Sequence, residues 1–280
     1  MKIWAHTLFR NEERYLWFAV TSVIDYVDKL LLWDTGSEDG SLKIASELKK
    51  TYPDKIDFRS WGKVDINQFT VVRQKMLSET KPEWFMILDG DEVWWSDGIR
   101  KHIALTRNKG RYLESIVSRH YNIVGDIYHF QEEKAGMYDI DGEKGHLNLR
   151  FINRKIPGLS FKKPHGQQGL FDNKGFLIQE RSKKRRIHLG LSYLHFTNVI
   201  RSSSRDKDKD VPKRKIKMKY ELGKSFPFDF YYPEVFFRPR PNYVPNPWEK
   251  RNANFTVKAL VQTPLKYFKR RFIKPGSSGY

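Results

Sequence analysis

The sequence predicts an α/β fold: a mostly parallel sheet flanked by helices, an antiparallel extension, and a basic C-terminal appendage. Three observations predict it. Short apolar strand patterns alternate with helix patterns through the first 90 residues, acidic turns follow two of those strands, and almost all of the surplus positive charge lies after residue 180. Strands joined by single helices require right-handed crossovers, so their carboxyl ends share one rim. Open α/β sheets bind ligands at that rim.

The elements follow in order. Lys2 to Leu8 reads as a strand, and Glu12 to Tyr26 as a helix with Leu16, Ala19, Val20, Val23 and Val27 on one face. Lys29 to Trp33 is a short buried strand. A polar turn, Asp34 to Ser41, precedes a helix carrying Leu42, Ile44, Ala45 and Leu48 that stops before Pro53. Ile56 to Trp61 is a third strand, Ile66 to Glu79 a third helix and Trp84 to Leu88 a fourth strand. Beyond about residue 110 come strand-like segments with polar connections: Tyr112 to Ile123, Tyr128 to Gln131, Leu147 to Asn153 and Ile187 to Phe196. The polar run Arg201 to Asp210 reads as a mobile loop, and Lys213 to Leu222 as a cationic helix. Recurrent prolines between Phe226 and Trp248 favour an extended strap packed on the domain. Thr263-Pro264 can start a last helix, and Gly276 to Gly279 reads as frayed. This suggests a nucleotide-binding half at 1–110, an acceptor-side half at 111–200 and an appendage at 201–280.

Composition narrows the chemistry. At 280 residues, with 39% hydrophobic and 15% aromatic side chains, the chain can bury a sizeable core. It has no cysteine, which excludes disulfides, thiolate zinc sites and cysteine nucleophiles. Any metal must therefore be held by oxygen or histidine. The apolar start breaks at His6 and Arg10, too early for a signal-peptide core, and no apolar run approaches the roughly 20 residues that cross a bilayer. The expectation is a cytoplasmic protein, free or peripheral at the cytoplasmic face of a membrane.

The charge is unevenly distributed. Residues 1–180 hold 27 Lys and Arg against 26 Asp and Glu, whereas residues 181–280 hold 25 against 7. The clusters Arg181 to Arg186 and Lys213 to Lys219 suggest an anionic partner: a membrane surface, a phosphorylated acceptor or nucleic acid. Leu265, Phe268 and Phe272, with Lys266, Lys269, Arg270 and Arg271 elsewhere on the turn, form a basic amphipathic element suited to an anionic leaflet. Nucleic acid is the less favoured partner, because the acidic rim would repel it.

The sharpest chemical signal is Ile87-Leu88-Asp89-Gly90-Asp91-Glu92. Two aspartates one residue apart, directly after a buried strand, can hold a hard divalent cation against phosphate oxygens. The second is Asp34 to Ser41, where Asp34 can accept a hydrogen bond from a base or ribose and Gly36 lets backbone approach closely. Arg73 can lean toward the base or diphosphate.

His6 to Glu13, then Asp34 to Ser41, Arg73 and Leu88 to Glu92, in this order and spacing, resemble the opening motifs of glycosyltransferase family 2 enzymes, whose fold is the Rossmann-like GT-A domain. The resemblance covers about residues 1 to 95. It implies a nucleotide-diphosphate sugar as donor, Mn²⁺ or Mg²⁺ as cofactor, and usually inversion at the anomeric carbon. Donor contacts would come from Thr7, Arg10, Asn11, Glu13, Asp34, Gly36, Arg73, Asp89 and Gly90, and the metal ligands would be Asp89 and Asp91, with His195 as a third. Leu149 to Asn153 and Lys163-Pro164-His165-Gly166 resemble a later family segment in which a His-Glu pair faces the acceptor. Gly166 stands where that pattern has Glu, so the family's carboxylate base does not carry over. An inverting transfer needs a group to take the acceptor proton. His165 is the first candidate, with Glu143 and Asp172 behind it. The acceptor would be a glycan, a lipid-linked or a phosphorylated species, as in surface polysaccharide or glycolipid synthesis. A sugar nucleotidyltransferase is the enzymatic alternative, although Thr7 to Glu13 lacks the glycines its first loop usually carries. A nucleic-acid-binding protein using the basic end is the non-enzymatic one.

Overall fold

The computed structural model describes residues 1–209, 211, 214 and 218–272. Four parallel strands form one half of a ten-stranded sheet: β1 (Ile3–Phe9), β2 (Lys29–Asp34), β3 (Ile56–Ser60) and β4 (Trp84–Ile87), in the order β3-β2-β1-β4. The helices between them are α1 (Leu16–Val23), α2 (Ser41–Thr51) and α3 (Ile66–Glu79). Alternate side chains on these strands serve opposite faces. Ala5, Leu30, Leu32 and Met86 pack with α1 and α2, while Leu8, Leu31 and Trp33 meet Val72 and Met76 of α3. Both faces are covered, which explains strands that read as continuous apolar runs.

The chain passes outward from β1 to β2 and β3, then returns to the other flank of β1 with β4. The sheet's topological switch therefore lies between the carboxyl ends of β1 and β4. His6 pairs with Ile87 in register, and the Leu88 N–H donates to the His6 carbonyl at 3.0 Å, so Asp89 follows directly at that crevice.

The remaining strands complete the same sheet. After β5 (Glu92–Trp94) and helix α4 (Ser96–Lys109), β6 (Ser115–Val124) and β7 (Asp126–Phe130) form a hairpin, and the small pair β8 (Tyr138–Ile140) and β9 (Glu143–Gly145) follows. Strand β10 (Leu147–Asn153) inserts antiparallel between β4 and β6. A second small pair, β11 (Ser160–Lys162) and β12 (Gly169–Phe171), leads to β13 (Arg186–Asn198). Strand β13 runs parallel to β6 and antiparallel to β5, and β14 (Lys224–Ser225) closes the edge on β7.

Several elements differ from expectation. The first helix begins at Leu16, because Asn11 takes a left-handed backbone and the Tyr15 and Leu16 amides turn back on the Glu12 carbonyl. Residues 201–209, expected to be a mobile loop, carry the short helix α5 (Arg205–Lys209) and bury Ser202 and Asp208. The Asp208 carboxylate accepts from the amides of Arg201 and Ser202 and from Arg214 Nη1 at 2.9 Å, which ties the segment down. Most of the expected cationic helix lies outside the described residues, as do Gly276 to Gly279; residues 218–222 are irregular.

The proline-rich strap packs as expected: Phe226 stacks on Phe230 and Phe130, while Trp248 meets Tyr232 and Phe236. The last helix, α6 (Ala253–Phe272), starts well before Thr263 and contains Pro264 in its interior. Proline forfeits one backbone hydrogen bond there. Packing of Phe255 and Ala259 on Val124, with Thr263 accepting from the Leu222 amide at 2.9 Å, holds the helix across that break. No helix among the described residues is long and apolar enough to cross a membrane.

Candidate active site

The crevice opens into a cavity of about 600 Å³, large enough for a nucleotide-sized ligand. Its walls come from the ends of β1 and β4 (Arg10, Glu12, Asp89, Asp91), from β10 and β13 (Arg150, His195), and from Arg73, His165, Arg201 and Arg214 among others.

The turn after β4 supplies the acidic groups. Asp89 accepts from Arg73 Nη2 at 3.1 Å and from Arg150 Nη2 at 2.9 Å. Burial pushes its carboxyl up, but Arg150 and then Arg73 outweigh that and bring it down to about 2. Asp91 is buried and paired with Arg201, with His195 Nε2 at 3.4 Å. Burial again opposes ionisation, and Arg201 with His195 holds Asp91 well below the carboxylate range. Glu92 is fully buried against Arg150, and its carboxyl rises to about 7 because desolvation exceeds the attraction of that arginine. Glu12, from the turn after β1, contacts Arg214 at 2.5 Å and Arg201 at 3.2 Å; burial pushes it up to about 8.

Asp89, Glu92 and His195 each offer a ligand atom, and these three atoms lie within 4.8 Å of one another. Two carboxylate oxygens and an imidazole nitrogen form a donor set able to hold a divalent cation. The pairing of β13 with β5 makes this cluster, because His195 stands directly opposite Glu92 in register. Asp91 adjoins the same group through His195 while its carboxylate engages Arg201.

The other anticipated residues divide between cavity and scaffold. Arg10 is buried at the cavity wall, and its Nε and Nη2 have no hydrogen-bond partner. Arg73, Gly90 and His165 also line the cavity, the His165 ring lying 4.3 Å from Phe69. Thr7 is fully buried in β1 and is absent from the cavity wall, so the expected donor contact is not available to it. Asn11 and Glu13 organise the next loop: Asn11 Oδ1 accepts from the Glu38 amide at 2.7 Å, and Glu13 Oε2 accepts from the Gly40 amide at 2.5 Å.

Asp34 sits at the same sheet edge, paired with Phe9, but its carboxylate is spent on the Gly36 and Ser37 amides and the Ser60 hydroxyl. Gly36 has φ of 94°, and a Cβ there would stand 2.6 Å from the Lys63 Cα, so this glycine serves contact with backbone. Asp34 and Gly36 are absent from the cavity wall, as are Glu143 and Asp172. Glu143 is exposed and paired with Arg119 at 2.7 Å; Asp172 is buried, bound to Arg181, and caps the turn to Phe176.

Sequence reasoning did not single out Glu12 and Glu92, although both lie within the motifs it used. Arg150 sat in a recognised strand without an assigned role. Nothing local marks Arg201 or Arg214, which reach Asp91 and Glu12 from sequence separations of 110 and 202 residues. His120 and His146 likewise line the cavity, and burial lowers both imidazoles.

An acidic turn at a topological switch, facing a cavity walled by guanidinium groups, defines an α/β domain of the kind that handles phosphorylated ligands. The chain belongs to glycosyl transferase family 2: the family's sequence model matches residues 6–170. The fold is GT-A-like, a parallel half-sheet with its acidic turn at the end of β4 and antiparallel strands beyond it. A search of curated protein sequences finds no match. Among solved structures, TarS 1–349 from S. aureus in complex with UDP-GlcNAc is similar, with 12% identity, a TM-score of 0.47, and coverage of 98% of this chain and 76% of that one. Glucosyl-3-phosphoglycerate synthase from Mycobacterium tuberculosis, in complex with Mn²⁺ and UDP-Glc, has 11% identity and a TM-score of 0.42, covering 68% and 70%. The chain spans 61% of the length of TarS 1–349 in another structure, and 37% of TarS, in alignments covering 70% and 71% of this chain at 12% identity and TM-scores of 0.45.

Proposed function

We propose that this protein transfers a sugar from a nucleoside diphosphate donor to an acceptor hydroxyl, with inversion at the anomeric carbon and with a divalent cation. The observation that carries this reading is the convergence of Asp89 and His195, beside Asp91, on one wall of the cavity at the switch between β1 and β4, with the buried Glu92 directly behind them. A cation held by Asp89, Glu92 and His195 would supply positive charge beside the departing diphosphate. Arg10 is suited to the same oxygens, since its buried guanidinium keeps donors unused. Arg73 and Arg150 fix the orientation of Asp89 and keep it ionised.

In the transfer, the acceptor oxygen bonds to the anomeric carbon while the bond from that carbon to the diphosphate oxygen breaks. The electron pair leaves with the nucleoside diphosphate. The acceptor proton goes to an imidazole nitrogen of His165, the cavity-lining group assigned here as base. The acceptor is a glycan, a lipid-linked or a phosphorylated species.

Heat-shift measurement with UDP and GDP, with and without Mn²⁺, tests the donor class. A nucleotide shift that needs the ion, and that Asp89→Asn and Glu92→Gln both abolish, is expected. Turnover with the matching sugar donor should fall roughly a hundredfold or more in each variant. Full activity in both variants would reject the metal assignment; steep salt-dependent RNA or DNA binding without any nucleotide shift would reject the enzyme.

A further inference from the structure

The described part of α6 has two dissimilar faces. Phe255, Ala259 and Thr263 point inward, and Lys266 and Arg270 join them by reaching the Tyr220 carbonyl and the Glu221 carboxylate. On the outward face stand Val257, Leu260, Val261, Leu265, Phe268 and Phe272, each more than half exposed. Positions 257, 261, 265, 268 and 272 recur at helical spacing, so these side chains form one stripe along a helix about 30 Å long. Exposed Lys258, Lys269 and Arg271 flank it. An exposed apolar stripe of this length, rimmed by charged residues, marks an interaction surface.

We infer that α6 lies on an anionic lipid surface, its stripe sunk among the acyl chains and its flanking cations at headgroup level. Charge complementarity selects this occupant. The helix itself carries Lys258, Lys266, Lys269, Arg270 and Arg271 and no acidic residue, and a basic rim around an apolar face matches a leaflet containing acidic phospholipid. A second copy of the chain would bring like charges together around the same stripe. The helix lies on the membrane and does not cross it. This inference is independent of the catalytic reading, since the stripe shares no residue with the cavity wall.

Co-sedimentation of the full chain with vesicles of phosphatidylcholine, alone or mixed with phosphatidylglycerol, tests it. Binding to the mixed vesicles should exceed binding to phosphatidylcholine by about tenfold or more, and should weaken as salt screens the cations. The double variant L265D/F268D should lose binding about tenfold or more while keeping its circular dichroism and thermal midpoint, because both side chains are exposed. K258E/K269E should lose the preference for the anionic vesicles. Sedimentation of L265D/F268D equal to that of the parent overturns the inference. So does a dimer, seen by light scattering, that the same variant dissociates in a protein that ignores vesicles, and so does RNA binding in place of lipid binding.

Discussion

Arg10 is buried at the end of β1 with two guanidinium nitrogens unpartnered, whereas nearby Arg150, Arg201 and Arg214 close ion pairs with Asp89, Asp91 and Asp208. An unsatisfied buried donor costs about 1–3 kcal/mol, a cost that an arriving anion removes. Arg10→Ala should therefore weaken nucleoside diphosphate binding by about tenfold or more, measured by calorimetric titration in the presence of Mn²⁺. Its thermal midpoint should change little, since the lost packing of the side chain is offset by removing a buried guanidinium whose Nε and Nη2 have no hydrogen-bond partner. Unchanged affinity would remove Arg10 from the donor site. The same contrast explains which residues could be recognised beforehand. Asp89 and Asp91 announce themselves as a close pair after an apolar strand. Arg201 opens a polar run with no signature, and its partner carboxylate lies 110 positions away.

Helix α3 was legible to the residue, and its start has a physical cause. Asp65 accepts from the Asn67 and Gln68 amides, while Gln68 accepts from the Asp65 amide, a reciprocal cap. Asp65→Ala should cost about 1 kcal/mol in urea unfolding. Because α3 carries Arg73 to Asp89, that variant should also bind nucleotide more weakly; a loss of stability without any loss of binding would uncouple the two. Helix α6 was legible only in part, because a proline after threonine is an ordinary helix start and the packing that carries the helix through it comes from residues 124 and 218–222. Strands β5 and β13 illustrate the other limit. Nothing local in three residues, Glu92–Trp94, reveals that they pair with a segment about 100 positions later.

Over the whole molecule, buried titratable groups set the response to pH. Burial, reinforced by Arg73, lowers His6 to about 3; burial lowers His102 and His146 to about 4 and His120 well below its ordinary value. The contacts of His102 suit the neutral form: Nδ1–H donates to the Gly98 carbonyl at 2.7 Å, and the Ser118 hydroxyl at 2.7 Å can donate to Nε2. These four imidazoles bind fewer protons folded than unfolded, so their contribution is present above about pH 6.5 and is lost as the pH falls. In the protein without added divalent cation, Glu12 and Glu92 act oppositely. Raised to about 8 and about 7, they hold protons that the unfolded chain has released, and that contribution is lost as the pH rises from about 4.5 through those values. Four groups against two leave a net loss on the acid side, at about 1.4 kcal/mol per pH unit for each unbalanced proton. Stability should therefore peak near about pH 6.5 in urea unfolding across that range, and Glu12→Gln should flatten the alkaline limb. A curve still climbing at about pH 8 would contradict the Glu12 assignment.

Strand β13 lies hydrogen-bonded to β5 on one side and to β6 on the other, with His195 facing Glu92 and Asn122 in register. The spacing of Glu92 and His195 is thus written into main-chain ladders, while Asp89, in the turn before β5, is held by Arg73 and Arg150. The short hairpins β8–β9 and β11–β12, which lie outside that ladder, contribute Ile140, Phe161 and Leu170 to the cavity wall. Substitutions in those hairpins can therefore reshape the cavity while leaving the Glu92–His195 pairing in the sheet intact.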